Sequence, residues 1–118
     1  MSAYAWVAVG AVVGAPLRYA VERLVNRDRP VTAFPWGLFL VNVIGSALAG
    51  IVVAGTEGSL RLVLLVGFCG AFTTYSGFGW AATVLWREDR RTFWATVLGV
   101  TSACIAAFAI TWSVTSLW

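Results

Sequence analysis

The chain has 118 residues, of which 60% are apolar and 11% are charged, whereas soluble domains carry roughly 25% charged residues. This composition excludes an ordinary soluble domain. The charged residues form three clusters, which leave four uncharged stretches: 1–17, 30–56, 62–86 and 92–118. A helix that crosses a membrane needs about 20 predominantly apolar residues. We therefore predict an all-α membrane protein with four transmembrane helices per chain.

The predicted helices form a single four-helix transmembrane domain over 1–118, with short connections. They cover about residues 3–24, 36–55, 61–86 and 93–116. The first connection, 25–35, contains Pro30 and Pro35 among charged residues, and both are helix breakers. The connections 56–60 and 87–92 are shorter still. Four helices with so little chain outside the membrane cannot enclose a polar path, so we predict an oligomer.

Composition also excludes several kinds of site. The two cysteines, Cys69 and Cys104, lie in apolar stretches, and the sequence has no histidine, so neither a disulfide framework nor a Cys/His metal site is predicted. The net charge is +3, but the arginines lie at the ends of the spans, as is common in membrane proteins. We therefore predict contact with membrane lipid and no nucleic-acid partner.

The first two spans each carry a polar side chain that needs an explanation. Arg18 lies near the end of the first span, where it either extends to the membrane interface or forms an electropositive vestibule for an anion. Asn42 is the only amide inside a span. Because an unpaired amide in hydrocarbon is costly, Asn42 must face the bundle interior, either as a fastener between helices or as part of a polar path.

The third span has an unusual centre, in which glycines, hydroxyl residues and aromatic rings follow one another over 67–79. Gly70 and the pair Thr73 and Thr74 can relax or break a helix, and we predict a break at mid-membrane depth. Non-helical backbone at this depth needs protein or water to satisfy it, and freed carbonyl oxygens suit a hard cation. The alternative is a kinked, tightly packed helix whose hydroxyls donate to the preceding turn.

The polar residues at depth favour a conduit over an enzyme or a proton-coupled exporter. No carboxylate lies deep in a span, where such an exporter needs a titratable group. The sequence also has no Ser-His-Asp set, metal-ligand cluster or phosphate loop. The deep groups are neutral donors beside aromatic rings: Asn42, Thr73, Thr74, Tyr75 and Ser76. Ring edges carry positive partial charge, so these groups suit a small anion that must be released again.

Three motifs follow one another in the first three spans: GAPLRY at 14–19, GLFLVNVIGS at 37–46 and GFCGAFTTYS at 67–76. With these motifs the chain resembles the Fluc, or CrcB, family of fluoride channels over essentially its full length. The resemblance implies a fluoride-selective channel that exports cytoplasmic F⁻ passively and so limits fluoride toxicity. It also implies an antiparallel dimer with two anion paths along its interface and a structural sodium ion at its centre.

The resemblance assigns roles to single residues. Asn42 matches a pore-lining asparagine, and Arg18 matches a vestibule arginine. Gly70 and Thr73 match the positions whose backbone carbonyls hold the structural Na⁺. Together with the donors identified above, the predicted anion pathway consists of Asn42, Thr74, Tyr75, Ser76 and Phe78.

The sequence departs from the family pattern in two places. Tyr75 and Phe78 correspond to two phenylalanines whose ring edges face fluoride, so the first ring here carries a hydroxyl. Gly77 stands where the family has a threonine, which removes a hydroxyl from the expected path. The fourth helix has no clear polar pair, and Thr101 and Ser102 are weak candidates. These departures cast doubt on one of the two anion paths.

The arginines predict a fixed orientation in the plasma membrane. The connections 25–35 and 87–92 share one side of the membrane and are flanked by six arginines, whereas Arg61 alone flanks the other side. Because lysine and arginine set orientation, both termini are predicted outside. The partner in an antiparallel dimer is then a related subunit of opposite orientation, with a homodimer as the alternative.

Two other functions remain open at this point. A small multidrug-resistance-type exporter has a similar size, but it needs a glutamate in the middle of a helix that the first span lacks. A non-conducting partner subunit is the other alternative, and it is compatible with a channel if this chain works beside a second one.

Overall fold

The computed structural model describes residues 2–118; Met1, which belongs to the predicted domain 1–118, lies outside the described residues. Four helical spans in the described part are long and apolar enough to cross a membrane, which confirms the predicted number. The third span, Gly58–Glu88, consists of four shorter helical elements, and each of the other three spans is a single helix. In chain order the elements are α1 (Ala3–Asn26), α2 (Trp36–Gly55), α3 (Gly58–Arg61), a π-helical segment (Leu62–Cys69), α4 (Gly70–Phe72), α5 (Ser76–Glu88) and α6 (Arg90–Ser116).

The helices extend further into the connections than the sequence pattern predicts. Helix α6 begins at Arg90 rather than near residue 93, because the Asp89 carboxylate accepts the Arg91 amide (3.0 Å) and the Thr92 amide (3.3 Å) and so caps the helix. The Thr92 hydroxyl and amide hold the pKa of the Asp89 carboxyl below its usual range. The connection between α5 and α6 is therefore Asp89 alone.

Helix α1 crosses the π-helical segment at very close range. A Cβ atom added at Gly67 would lie 2.5 Å from the carbonyl oxygen of Val7, and one added at Gly10 would overlap the carbonyl oxygen of Val63. Small residues of this kind let helix backbones approach each other in a membrane. The crossing fixes the third span against the first and so places the residues that follow the π-helical segment.

Helix α2 packs extensively against α6 and also contacts α1. Few apolar residues in the described part of the chain are buried; Val41 on α2, Leu85 on α5 and Val100 on α6 are among the most deeply buried. Large apolar side chains cover the outer surface, as at Val12 (73% exposed) and Ile105 (65% exposed). The long axis of the chain measures 46 Å, compared with a hydrocarbon thickness of about 30 Å. Such a surface suits lipid or a second subunit.

Candidate functional site

Residues 73–75 separate α4 from α5 in the third span. Thr73 is extended, with φ −82° and ψ 163°, and its hydroxyl donates to the Cys69 carbonyl at 2.8 Å. The Thr74 hydroxyl instead accepts the Gly77 amide at 2.9 Å. One hydroxyl therefore bonds to the preceding turn, and the other caps the beginning of α5. The two threonines make the change from one helix to the next locally favourable.

Asn42 holds this turn from α2 through two hydrogen bonds. Its Nδ2 donates to the Thr74 carbonyl at 3.1 Å, and its Oδ1 accepts the Thr74 amide at 2.8 Å. The side chain is only 8% exposed. In a continuous helix the Thr74 amide would donate to the Gly70 carbonyl, so the bond to Asn42 leaves that carbonyl without its usual donor. An amide nitrogen carries two N–H groups, and one of them remains for another acceptor.

Arg18 contacts the same turn from α1. It is half-buried on α1, and its Nη1 donates to the Thr73 carbonyl at 3.2 Å. The guanidinium is therefore directed at the turn within the third span. Its fixed positive charge lies beside the backbone that Asn42 contacts.

A groove of about 390 Å³ on the surface of the chain brings together four predicted pathway residues, Asn42, Thr74, Tyr75 and Phe78. Ser76 does not line it, but its hydroxyl lies 3.3 Å from the hydroxyl of Thr74. Arg18 also lies outside the lining and reaches the turn from α1. The remaining lining residues are Ser46, Thr73, Val100, Thr101, Cys104 and Ile105.

Helix α6 supplies one wall of this groove, which the sequence reasoning largely missed. Thr101 lines the groove, whereas the Ser102 hydroxyl donates to the Leu98 carbonyl at 2.6 Å and does not line it. Cys104 was treated as an ordinary apolar residue, yet it lines the groove. The available signal was the spacing of positions 100, 101, 104 and 105, which places them on one face of a helix.

Any cation at this turn would have to be held by neutral oxygens of the backbone or of hydroxyl and amide side chains. No group of three or more His, Cys, Asp or Glu side chains that could hold a metal lies within residues 2–118. The Gly70 carbonyl fits such a role because it has lost its helical donor and Gly70 is exposed on the subunit surface. The Thr73 carbonyl fits less well, because it already accepts the Arg18 guanidinium.

Comparison with known proteins gives the family. A model of the family described as CrcB-like protein, Camphor Resistance (CrcB), matches residues 5–114. This chain belongs to the CrcB family. Within it, the chain is 38% identical over 120 residues to "Fluoride-specific ion channel FluC 1" of Streptomyces avermitilis, with 95% of each chain covered.

Two further relatives carry similar names. "Fluoride-specific ion channel FluC" of Koribacter versatilis is 34% identical over 111 residues, with 88% of this chain and 87% of the relative covered. "Fluoride-specific ion channel FluC 1" of Frankia casuarinae is 42% identical over 113 residues, with 86% and 84% covered. In this CrcB-family chain, the three motif segments meet at one place: 14–19 supplies Arg18, 37–46 supplies Asn42, and 67–76 supplies the turn that both contact.

Proposed function

We propose that this chain forms a fluoride-selective channel that exports cytoplasmic F⁻ passively and so limits fluoride toxicity. The observation that carries this proposal is the groove in which Asn42, Tyr75 and Phe78 lie together with neutral donors and no charged side chain. Fluoride in an acidic medium enters the cell as the weak acid HF, which dissociates in the near-neutral cytoplasm. The ion then leaves through the channel without an energy source.

Each lining group can contact a small anion without holding it tightly. The second N–H of Asn42 and the hydroxyl of Tyr75 are donors, and the edge of the Phe78 ring carries positive partial charge. All three are neutral, so fluoride can leave the site again. The Arg18 guanidinium, which is held at the Thr73 carbonyl, adds a positive potential beside the groove.

An antiparallel dimer would complete the pathway that a single subunit leaves open. Tyr75 is 89% exposed although it lines the groove, so a fluoride ion beside it would face lipid unless another subunit covered it. In this arrangement the third helix is broken at mid-membrane depth, where residues 73–75 interrupt it. The Gly70 carbonyl would then face the partner.

A structural Na⁺ at the dimer centre would be held by the carbonyls of Gly70 and Thr73. Such an ion would supply a fixed positive charge between the subunits. The Thr73 carbonyl accepts the Arg18 guanidinium, and the repulsion between that group and a cation would weaken sodium binding at Thr73. The Gly70 carbonyl has no such neighbour among the hydrogen bonds at this turn.

The alternatives have less support from the groove. An exporter of the small multidrug-resistance type needs a titratable group at its binding site, and the residues that line this groove include no carboxylate. A non-conducting subunit is favoured only by the two departures at Tyr75 and Gly77. Both departures suit a dimer in which one path conducts and the other has decayed.

Fluoride efflux from liposomes tests the proposed function. We expect liposomes that contain the purified chain, alone or with a co-encoded relative, to release fluoride and retain chloride. An ion-selective electrode for each anion measures the release. Chloride leaving as fast as fluoride in every combination would contradict the assignment.

We also propose that the chain has one orientation, with both termini outside the plasma membrane. Six arginines flank the side that contains 25–35 and Asp89. On the other side, Arg61 donates to the Val53 carbonyl at 2.9 Å at the end of α2. This difference in the number of arginines between the two sides is too large for the chain to insert in both directions. The antiparallel partner is then a related subunit of opposite orientation.

Reporters fused to the C-terminus measure this orientation. We expect alkaline phosphatase, which is active only outside, to give full activity, and green fluorescent protein, which is fluorescent only in the cytoplasm, to give background signal. Arg61→Gln is the matched control. It should leave both reporter signals unchanged, because the six arginines on the opposite side, which set the orientation, remain. Comparable signal from both reporters would favour the homodimer.

A further inference from the structure

A second groove lies at the junction of α5 and α6, away from the candidate pathway. It has a volume of about 390 Å³ and is lined by Ala82, Thr83, Trp86, Arg87 and Phe93. It combines an apolar floor with a guanidinium at its edge. The tryptophan in its wall is typical of a span end, where aromatic rings lie at the level of the lipid headgroups.

The walls of this groove are held in place by packed rings. The rings of Trp86 and Phe93 meet edge to face, with centroids 5.0 Å apart, and Phe93 and Trp94 do the same at 5.1 Å. The Arg90 guanidinium lies 3.6 Å from the centroid of the Trp86 ring, and its Nε donates to the Trp86 carbonyl at 3.1 Å. A second guanidinium is therefore fixed close to the same tryptophan.

The acidic residues nearby do not line this groove. The Asp89 carboxylate is directed at the beginning of its own helix, where it accepts the amides of Arg91 and Thr92 and the hydroxyl of Thr92. Glu88 is exposed and lies outside the lining. The groove therefore presents Arg87 to whatever occupies it. Arg90 lies outside the lining, but its guanidinium is held against the Trp86 ring that forms part of the wall.

We propose that this groove binds one anionic phospholipid. The phosphate would lie between the guanidinium groups of Arg87 and Arg90, which suit the geometry of phosphate oxygens. One acyl chain would follow the apolar floor at Ala82 and Phe93 toward the hydrocarbon. A free phosphate ion would use the guanidinium groups but leave the apolar floor empty. Basic pockets between transmembrane helices bind anionic headgroups in this way. This site is independent of fluoride conduction.

Native mass spectrometry of the purified full chain tests the proposal. The chain is mixed with equal amounts of dioleoyl phosphatidylglycerol, which is anionic, and dioleoyl phosphatidylcholine, which is zwitterionic. We expect the wild type to retain phosphatidylglycerol in preference. Arg87→Gln with Arg90→Gln should reduce that preference by about fivefold for each arginine removed.

Two control variants separate a built site from general charge. Arg27→Gln with Arg29→Gln removes two arginines from the other connection at the same end of the bundle and should keep the preference. Arg87→Lys with Arg90→Lys keeps both charges and should retain part of the preference, because lysine attracts the phosphate as a point charge without the guanidinium geometry. The elution volume of the glutamine variant in size-exclusion chromatography, compared with that of the wild type, checks that it folds.

Three outcomes would overturn the proposal. Equal loss in both glutamine variants would show attraction by net charge only. Equal retention of the two lipids by the wild type would show that the net negative charge of the headgroup is not recognised. Displacement of phosphatidylglycerol by inorganic phosphate added to the sample would show a site for the free ion.

Discussion

Replacing Asn42 by alanine is expected to abolish fluoride efflux. The substitution removes both hydrogen bonds to the Thr74 backbone, and each buried backbone group left unpaired costs about 1–3 kcal/mol. It also removes the donor that faces the groove. Displacement of the turn and loss of this donor are together expected to lower the rate of electrode-measured efflux from liposomes by about 100-fold or more, the change that about 2.7 kcal/mol of added barrier would give.

Two variants show whether the effect comes from the amide. Ser46→Ala changes another residue that lines the same groove on α2, and it should stay close to the wild-type rate. Asn42→Asp keeps an oxygen that can accept the Thr74 amide but adds negative charge to an anion path, so it should also lose efflux. An alanine variant that conducts at more than half the wild-type rate would show that Asn42 is only a fastener between helices.

Replacing Gly70 by leucine is expected to block dimer formation and, with it, conduction. Gly70 is exposed on the subunit, and the nearest atom to a Cβ added there is the Leu65 carbonyl oxygen, at 3.8 Å. A leucine therefore fits the single subunit and projects toward the proposed partner. We expect the variant to fold but to elute as a monomer in size-exclusion chromatography, without fluoride efflux.

Gly99→Leu is the matched control for this experiment. No atom lies within 4 Å of a Cβ added at Gly99, and that residue is on α6. The control should run and conduct like the wild type. A Gly70→Leu chain that remains dimeric and conducts fully would exclude both the proposed interface at Gly70 and the sodium site that depends on it.

The architecture was largely readable from the sequence because it depends on local composition. Four apolar stretches separated by charge clusters predict four spans, and the structure has four. The glycine and threonine residues of the third span mark the place where α4 ends at Phe72. Helix ends were less predictable, because an aspartate in a charged cluster looks the same whether it belongs to a loop or, like Asp89, caps a helix.

The contacts at the turn could not be predicted from local pattern. Arg18 and Thr73 are 55 residues apart, and Asn42 and Thr74 are 32 residues apart, so their pairing depends on how the spans pack. The π-helical segment Leu62–Cys69 is uniformly apolar and carries no periodic signal for its irregular hydrogen bonding. Cys104 was missed for a chemical reason, since a cysteine in an apolar helix gives no polar signal.

Modification of Cys104 tests most directly whether the groove carries fluoride. The described chain has two free cysteines: Cys104, which is half-buried and lines the groove, and Cys69, which is 4% exposed between helices. A sulfonate-bearing methanethiosulfonate reagent does not cross lipid, and it would add bulk and negative charge at Cys104. We expect it to slow fluoride efflux by about tenfold or more in the wild type and in Cys69→Ser, but to leave Cys104→Ser unaffected. Equal slowing of Cys104→Ser, or unchanged efflux from a wild-type chain whose mass shows modification at Cys104, would contradict a fluoride path through this groove.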